Sequence, residues 1–240
     1  MEQDIPVVAL LPLRAGSKGV PGKNKGYFHG KPLFMWQLDA LLDSEFIHHV
    51  YVATDDTEII DIINEEYRPM SKLHVYERSS QSARDDASTE EVLLEFIEHE
   101  QLDPGTILVL SQATNPFPAH YDYTAAVRDY MLTLLIDPRA SMVSVALSDR
   151  FYWDGDFDEP LNYDPMNRPR RQDVEDTGKV LVENGAFYIN TISQIQKHKC
   201  RINDHVRVYR MPTWTVYEID TPEDWEICHV IFQAYRGGEE

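Results

Sequence analysis

The chain has 240 residues, is 42% hydrophobic and carries Lys+Arg 22 against Asp+Glu 41, a formal net charge of -19. That length and apolar content can fill one substantial core and carry no signature of disorder, while the acidic balance argues against nucleic acid, whose phosphates want a basic surface. No apolar run reaches the roughly 18 residues of a membrane span, the opening MEQDIP shows no basic leader or cleavage site, and Cys200 and Cys228 are too far apart for a metal-type pair, so a soluble, intracellular protein with ordinary thiols is expected.

PVVALLPL (6–13) is short, apolar and rich in β-branched residues, which predicts a buried strand. KPLFMWQLDALLDS (31–44) spaces Leu33, Trp36, Leu38, Leu41 and Leu42 as a helix does, with Pro32 expected in its first turn. HVYVAT (49–54) predicts a strand, TEIIDIINEEY (57–67) a helix and KLHVYE (72–77) another strand. Ser88 followed by Glu91 forms a capping box for a helix to about residue 100. TILVLSQ (106–112) predicts a strand, 121–136 a helix and SMVSVAL (141–147) a strand. Alternation of this kind implies βαβ units, hence an α/β fold of three layers with a mostly parallel twisted sheet and helices on both faces. Residues 149–182, rich in Asp, Pro, Gly and aromatics, lack either period and predict an excursion from the sheet, too small for a second domain. The chain is therefore expected to be one domain, 1–240. Strands resume at GAFYIN (185–190) and HVRVYRM (205–211), and Thr221-Pro222-Glu223-Asp224 supplies the cap, proline and acidic first turn of a last helix.

Between the first strand and the first helix lies LRAGSKGVPGKN (13–24), three glycines and a proline among Arg14, Lys18 and Lys23. A P-loop would need Gly where Ser17 stands and Ser or Thr where Asn24 stands, and Gly16, Gly19 and Gly22 follow G-x-x-G-x-x-G rather than the dinucleotide fingerprint. Residues 13–31 nevertheless hold Arg14, Lys18, Lys23, Lys25 and Lys31 without an Asp or Glu. Such a concentration focuses positive potential for an anionic ligand despite the global charge; a solvated basic loop is the plainer reading for Lys25 and Lys31. In open α/β sheets ligands bind beyond the carboxyl ends of strands, where this loop, TDD (54–56), SQATNP (111–116) and the acidic turn E-I-D (218–220) all fall. These stretches are expected to meet at one cleft.

Taken together the segments resemble the N-acylneuraminate cytidylyltransferases over nearly the whole chain and in order. LRAGSKGVPGKN is similar to that family's R-x-G-S-K-G-(I/L)-P-x-K-N nucleotide loop, and YVATDD, ERSSQSARDDAST, QATNP, RPRRQD and ENGAFYIN match further segments. The resemblance implies a Rossmann-like nucleotidyltransferase fold and transfer of CMP from CTP to a nonulosonic acid. It assigns Arg14, Ser17, Lys18, Lys23 and Asn24 to the CTP phosphates, Arg78, Ala87 and Thr89 to the cytidine end, and Gln112 and Tyr188 to the sugar. Arg171 would reach the sugar carboxylate from a partner subunit, with 149–182 as the segment that builds a homodimer. The family's D-x-D metal ligands correspond to Glu218 and Asp220, a departure at the first position. Residues i and i+2 of a strand share a face, so both carboxylates can meet one Mg²⁺ or Mn²⁺, although an acidic pair before a helix also caps its dipole. Val182 replaces an arginine that some bacterial members carry, which leaves the sugar carboxylate to Arg171, Arg168 or Arg170.

The implied enzyme is cytoplasmic, or nuclear in an animal host. Two alternatives stay open: a nucleotidyltransferase for another sugar, octulosonate or a sugar 1-phosphate, and a nucleotide-binding protein of this fold without turnover. No histidine is expected to bind metal, Trp36 and Trp225 are expected in the core, and Asp55 and Asp56 read either as strand-end turn residues or as groups with a secondary role near the site.

Overall fold

Alternation in the first strand decides the layering. In β1 (Val7–Leu13) the side chains of Val7, Ala9, Leu11 and Leu13 point to one buried cluster and those of Val8 and Leu10 to another, as a period of two requires when both faces are covered. The first cluster also holds apolar residues of α1 (Leu33–Leu42), α2 (Thr57–Glu66) and α4 (His120–Leu134); the second those of α3 (Thr89–His99) and α5 (Ile192–His198). The computed structural model describes residues 5–67, 69–148, 150–170 and 180–237, and among them no helix is long and apolar enough to cross a membrane.

With β4 (His49–Thr54), β5 (Leu73–Glu77), β6 (Ile107–Ser111), β7 (Ser141–Ser148), β8 (Val180–Thr191) and β9 (Val206–Met211), β1 forms a seven-stranded sheet in the order β5-β4-β1-β6-β8-β7-β9. Every pairing is parallel except those of β8, which runs against both β6 and β7. The chain moves outward from β1 through β4 and β5, then crosses to the other side of β1 at β6. The carboxyl ends of β1 and β6 therefore flank the point where strand order reverses, where a crevice opens in such sheets.

Local chemistry explains the boundaries. Ser88 and Glu91 make the expected capping box on α3, and Thr221 and Asp224 make one on α6 (Pro222–Tyr235). Pro32 precedes α1 as its N-cap, outside the first turn where it was expected, because Lys31–Pro32 pairs as β3 with β2 (Tyr27–Phe28) in a small hairpin. That hairpin packs Phe28 against Trp225 and Phe232 of α6. Trp36 is partly buried beside it and donates from Nε1 to the Phe28 carbonyl at 2.8 Å.

The strand expected at 185–190 begins five residues earlier, at Val180, since Val180, Leu181 and Val182 pair with the end of β7. An irregularity hid this continuity. Residues 184–187 lie opposite Ser144 alone, between the pairs Val145 with Glu183 and Val143 with Tyr188. Ser144 bridges the bulge, its Oγ 2.7 Å from Asn184 Oδ1 and accepting from Phe187 N at 2.9 Å. A bulge bends a strand and re-aims its side chains, and this one faces the crevice. The excursion forms an isolated bridge between Trp153 and Pro160, stacks Arg168 over Phe151 at 4.5 Å, and exposes Phe157, Leu161 and Met166.

Asn115 fastens three segments beneath the crevice. Fully buried, it donates to the carbonyls of Asn184 and, at 2.9 Å, Thr215, and accepts from Phe117 N at 3.1 Å. Removing one partner from a buried polar cluster leaves the others unsatisfied. Asn115→Ala is expected to lower stability by about 2–4 kcal/mol, read as a fall in the denaturant midpoint at unchanged m-value; an unaltered midpoint would remove Asn115 from this role.

Candidate functional site

The opening loop leaves β1 at Leu13 and is tied down at once. Ala15 N–H donates to Asp55 Oδ1 at 2.8 Å, fastening the loop to the end of β4, and Asn24 Nδ2 donates to the Arg14 carbonyl at 3.4 Å. Asp56 caps α2 by accepting from Glu58 N at 3.0 Å and pairs with Lys25 Nζ at 2.8 Å. Asp56 and Glu58 hold the Lys25 ammonium above its ordinary pKa. The turn acids and Lys25 thus serve the loop's architecture.

Lys23 closes the loop onto the far end of the chain. Its Nζ donates to the Ile219 carbonyl at 2.6 Å and to Asp220 Oδ1 at 3.1 Å, with only 12% of the side chain exposed. Gly19 packs so tightly beside this junction that a Cβ there would stand 1.9 Å from the Asp220 carbonyl oxygen. Only glycine allows such an approach.

A second wall comes from the segment between β5 and α3. Glu95 of α3 accepts from Tyr76 Oη at 2.7 Å, Ser79 N at 3.0 Å, Ser82 Oγ at 3.1 Å and Ser79 Oγ. Arg78 donates to the Ser82 carbonyl, and its buried Nε has no hydrogen-bond partner among the described residues. Burial lowers the Arg78 pKa from its usual value. Asp85 reaches across the cleft to Arg14 and Lys18, 3.3 and 3.4 Å away.

The floor is the end of β6. Gln112 N donates to the Ala186 carbonyl at 3.0 Å in the β8 bulge, and Ile219 N donates to the Thr114 carbonyl at 2.7 Å. Glu218 and Asp220 were expected to share a strand face. They lie instead in an irregular segment between the 3-10 turn Thr213–Val216 and α6, because Pro212 and that turn end the ladder of β9. The bond through Ile219 fixes the segment in place of a ladder, with Ile219 fully buried between the two acids.

These walls enclose a cleft of about 360 Å³. The structure brings Arg14, Ser17, Lys18, Lys23, Asn24, Arg78, Ala87, Thr89, Gln112 and Asp220 to its lining. Glu218 stands just behind, 3.4 Å from Thr114 Oγ1, a residue of the lining. Tyr188 is not in the lining. It is 8% exposed, donates to Glu183 Oε2 at 3.1 Å and carries Arg201 over its ring at 5.0 Å; burial, then Glu183, pushes its hydroxyl up to about 12. Arg171 lies outside the described residues, and Arg170 stands at their edge. Sequence reasoning missed Asp85 and Thr114. Asp85 lay inside a segment singled out, but an acid in an anion site runs against the charge argument that found the site.

The donor set suits a hard divalent cation. Burial, then the Asp220 carboxylate, raises the Glu218 pKa, the condition of two acids held close without enough positive charge between them. No group of three or more His, Cys, Asp or Glu able to hold a metal occurs among the described residues. A cation here would take one or two carboxylates and complete its shell from water and ligand phosphates, which is the habit of Mg²⁺. Gly185, at φ +60°, leaves the room that the Glu218 carboxylate occupies, since a Cβ there would stand 2.0 Å from Glu218 Oε2.

A family model described as cytidylyltransferase matches residues 8–224. The N-acylneuraminate cytidylyltransferase of Oncorhynchus mykiss is 31% identical over 231 residues, 92% of this chain and 49% of that protein. The chain thus spans about half the length of the first curated relatives it matches. The CMP-N,N'-diacetyllegionaminic acid synthase of Legionella pneumophila is 28% identical over 95% of this chain and 96% of its own. A solved CMP:2-keto-3-deoxy-manno-octonic acid synthetase complexed with CTP matches with a TM-score of 0.65 at 18% identity, covering 95% of this chain and 99% of that one; at that identity the likeness concerns the fold.

Gly19→Ala is expected to push the opening loop off Asp220 while leaving the core intact. Hydrogen exchange should rise roughly tenfold or more over 16–25 and 217–221 and stay unchanged in β1 and β6. Unchanged protection in both loops would show that they are not held by this contact.

Proposed function

The chain belongs to the cytidylyltransferase family, and on that premise we propose that it transfers CMP from CTP to the C2 hydroxyl of N-acylneuraminate or a related nonulosonic acid. The hydroxyl gives up its proton to solvent water as its oxygen attacks the α-phosphorus in line, the bond from that phosphorus to the bridging oxygen breaks, and pyrophosphate leaves. The observation that carries this reading is the meeting of Lys23 with Asp220 at 3.1 Å, inside a cleft that also holds Arg14, Lys18 and Arg78. The names of relatives that match over most of this chain, N-acylneuraminate cytidylyltransferase and a legionaminic acid synthase, support the sugar class.

Little covalent chemistry falls to the protein in such a transfer, so positioning and charge do the work. Arg14, Lys18 and Lys23, with Ser17 and Asn24 beside them, bind the phosphates through charge-assisted hydrogen bonds worth about 1.5–3 kcal/mol each. Arg78, Ala87 and Thr89 bind the cytidine end. Gln112 holds the sugar from the floor, while Tyr188, from behind the lining, shapes that side through Glu183 and Arg201. Arg171 binds the sugar carboxylate, a planar anion that suits a guanidinium. Mg²⁺ or Mn²⁺ held by Glu218 and Asp220 would neutralise charge on the triphosphate.

The exposed Phe157, Leu161 and Met166 support the reading of the excursion as part of a homodimer contact; sedimentation showing a fully active monomer would refute it. Pyrophosphate release is expected with CTP and N-acetylneuraminate or a diacetylated nonulosonate, and not with sugar 1-phosphates. Release with an octulosonate alone would reassign the substrate, and CTP binding with no release across the panel would mark a protein without turnover. Asp220→Asn is expected to cut kcat by about 10²–10³ at saturating divalent cation while CTP still binds; an unchanged kcat would remove Asp220 from the mechanism.

A further inference from the structure

Among the cations of the cleft stands one carboxylate that a polyanion site does not call for. Asp85 Oδ1 lies 3.3 Å from Arg14 Nη1, Asp85 Oδ2 lies 3.4 Å from Lys18 Nζ, and Arg14 Nη1 also donates to the Asp85 carbonyl at 3.2 Å. One residue thus turns three oxygens on two cations, much as a phosphate group does. We propose that Asp85 is an internal stand-in for a nucleotide phosphate, which holds Arg14 and Lys18 in register and is displaced when a polyphosphate binds. The inference rests on the reading of Arg14 and Lys18 as phosphate ligands.

Two features make the contact replaceable. The Asp85 side chain is 59% exposed and that of Lys18 71%, so these ion pairs are weak and the carboxylate keeps a route to water. The segment is pinned on both sides of Asp85, by Glu95 holding Ser79 and Ser82 and by the Ser88–Glu91 capping box. Between these anchors Ala87 N donates to the Arg84 carbonyl at 3.1 Å and Arg84 pairs with Glu91 at 3.6 Å, so the exposed Asp85 side chain can turn away without unravelling α3. Lys23, by contrast, is 12% exposed and bonded to a backbone carbonyl as well as to Asp220, so it belongs to the fixed frame.

The consequence is selectivity by charge number. A triphosphate or pyrophosphate brings several negative charges and outcompetes one carboxylate, whereas a single phosphodiester, such as the transferred CMP group, does not. Asp85 returns once pyrophosphate has left, and its return helps expel the phosphodiester product that remains. Keeping a competing anion in the cleft costs ground-state affinity, so its removal should strengthen binding. A residue that merely supported the fold would weaken binding when removed.

The test is calorimetric titration of CTP and of inorganic pyrophosphate, with Mg²⁺ at fixed salt, into the wild type and four variants. Asp85→Asn should bind both ligands about three- to tenfold tighter and be inhibited by pyrophosphate at correspondingly lower concentration. Asp86→Asn removes the same charge one residue away, where the side chain is 81% exposed and paired with Arg84, and should stay within about twofold of wild type. Arg14→Gln should weaken both ligands. If Asp85→Asn binds equally or more weakly while Arg14→Gln weakens, the stand-in is overturned and the cradle stands. If Arg14→Gln binds CTP as the wild type does, the cradle reading fails instead. Asp85→Ala is titrated alongside; should neither Asp85 variant fold, the contact is required by the fold and the proposal is likewise overturned.

Discussion

Lys23 sits between two oxygens that the chain supplies 196 and 197 positions later. An ammonium group so nearly withdrawn from water is tolerable only if its charge is answered, and the Ile219 carbonyl with the Asp220 carboxylate answers it. The geometry of the cleft follows from that requirement. The opening loop is drawn under the acidic turn, Gly19 yields the space, and Ile219 carries the tension inward through Thr114 to the end of β6. Glu218, on the other side of Ile219, is aimed by the same anchorage.

The arrangement also reconciles an acidic protein with an anion cleft. A net charge of -19 would repel a polyphosphate at long range, but beyond roughly 10 Å salt screens most of that field. Inside the cleft the nearest carboxylates are already engaged: Asp220 with Lys23, Asp85 with Arg14 and Lys18. Each acid therefore serves as the partner of a cation rather than as a free repulsive charge. On the proposed reading the cations are pre-organised at some cost in affinity, which a ligand with several charges recovers.

Much of this was legible in the chain because local rules and the fold agree. The helix caps at Ser88 and Thr221, the main-sheet strands from Val7 to Ser148 and the glycine-bearing basic loop each announce themselves within a few residues, through period, cap chemistry or charge. What stayed hidden depends on distant partners. The start of β8 was masked because residues 184–187 break the period opposite Ser144, a feature visible only once β7 is in place. The seven-residue helix Ile192–His198 has too few apolar positions to declare a face. Pro32 obeys a hairpin rather than a helix, and Tyr188 is drawn into the core by Glu183 and Arg201. Asp85 was the hardest to read, since sequence composition says which charges are present and not which of them meet.

The antiparallel strand β8 has a further meaning for how the molecule is made. The half-sheet β5-β4-β1-β6, with α1, α2 and α3 around it, is complete in sequence by residue 111, and proteins begin to fold from the amino terminus as they leave the ribosome. Lys23 and Gly19 thus emerge early, with the Ile219–Asp220 turn that they meet still untranslated. For more than a hundred further residues Lys23 stands without the oxygens that answer it, and the cleft acquires its finished wall only when the final helix is about to form.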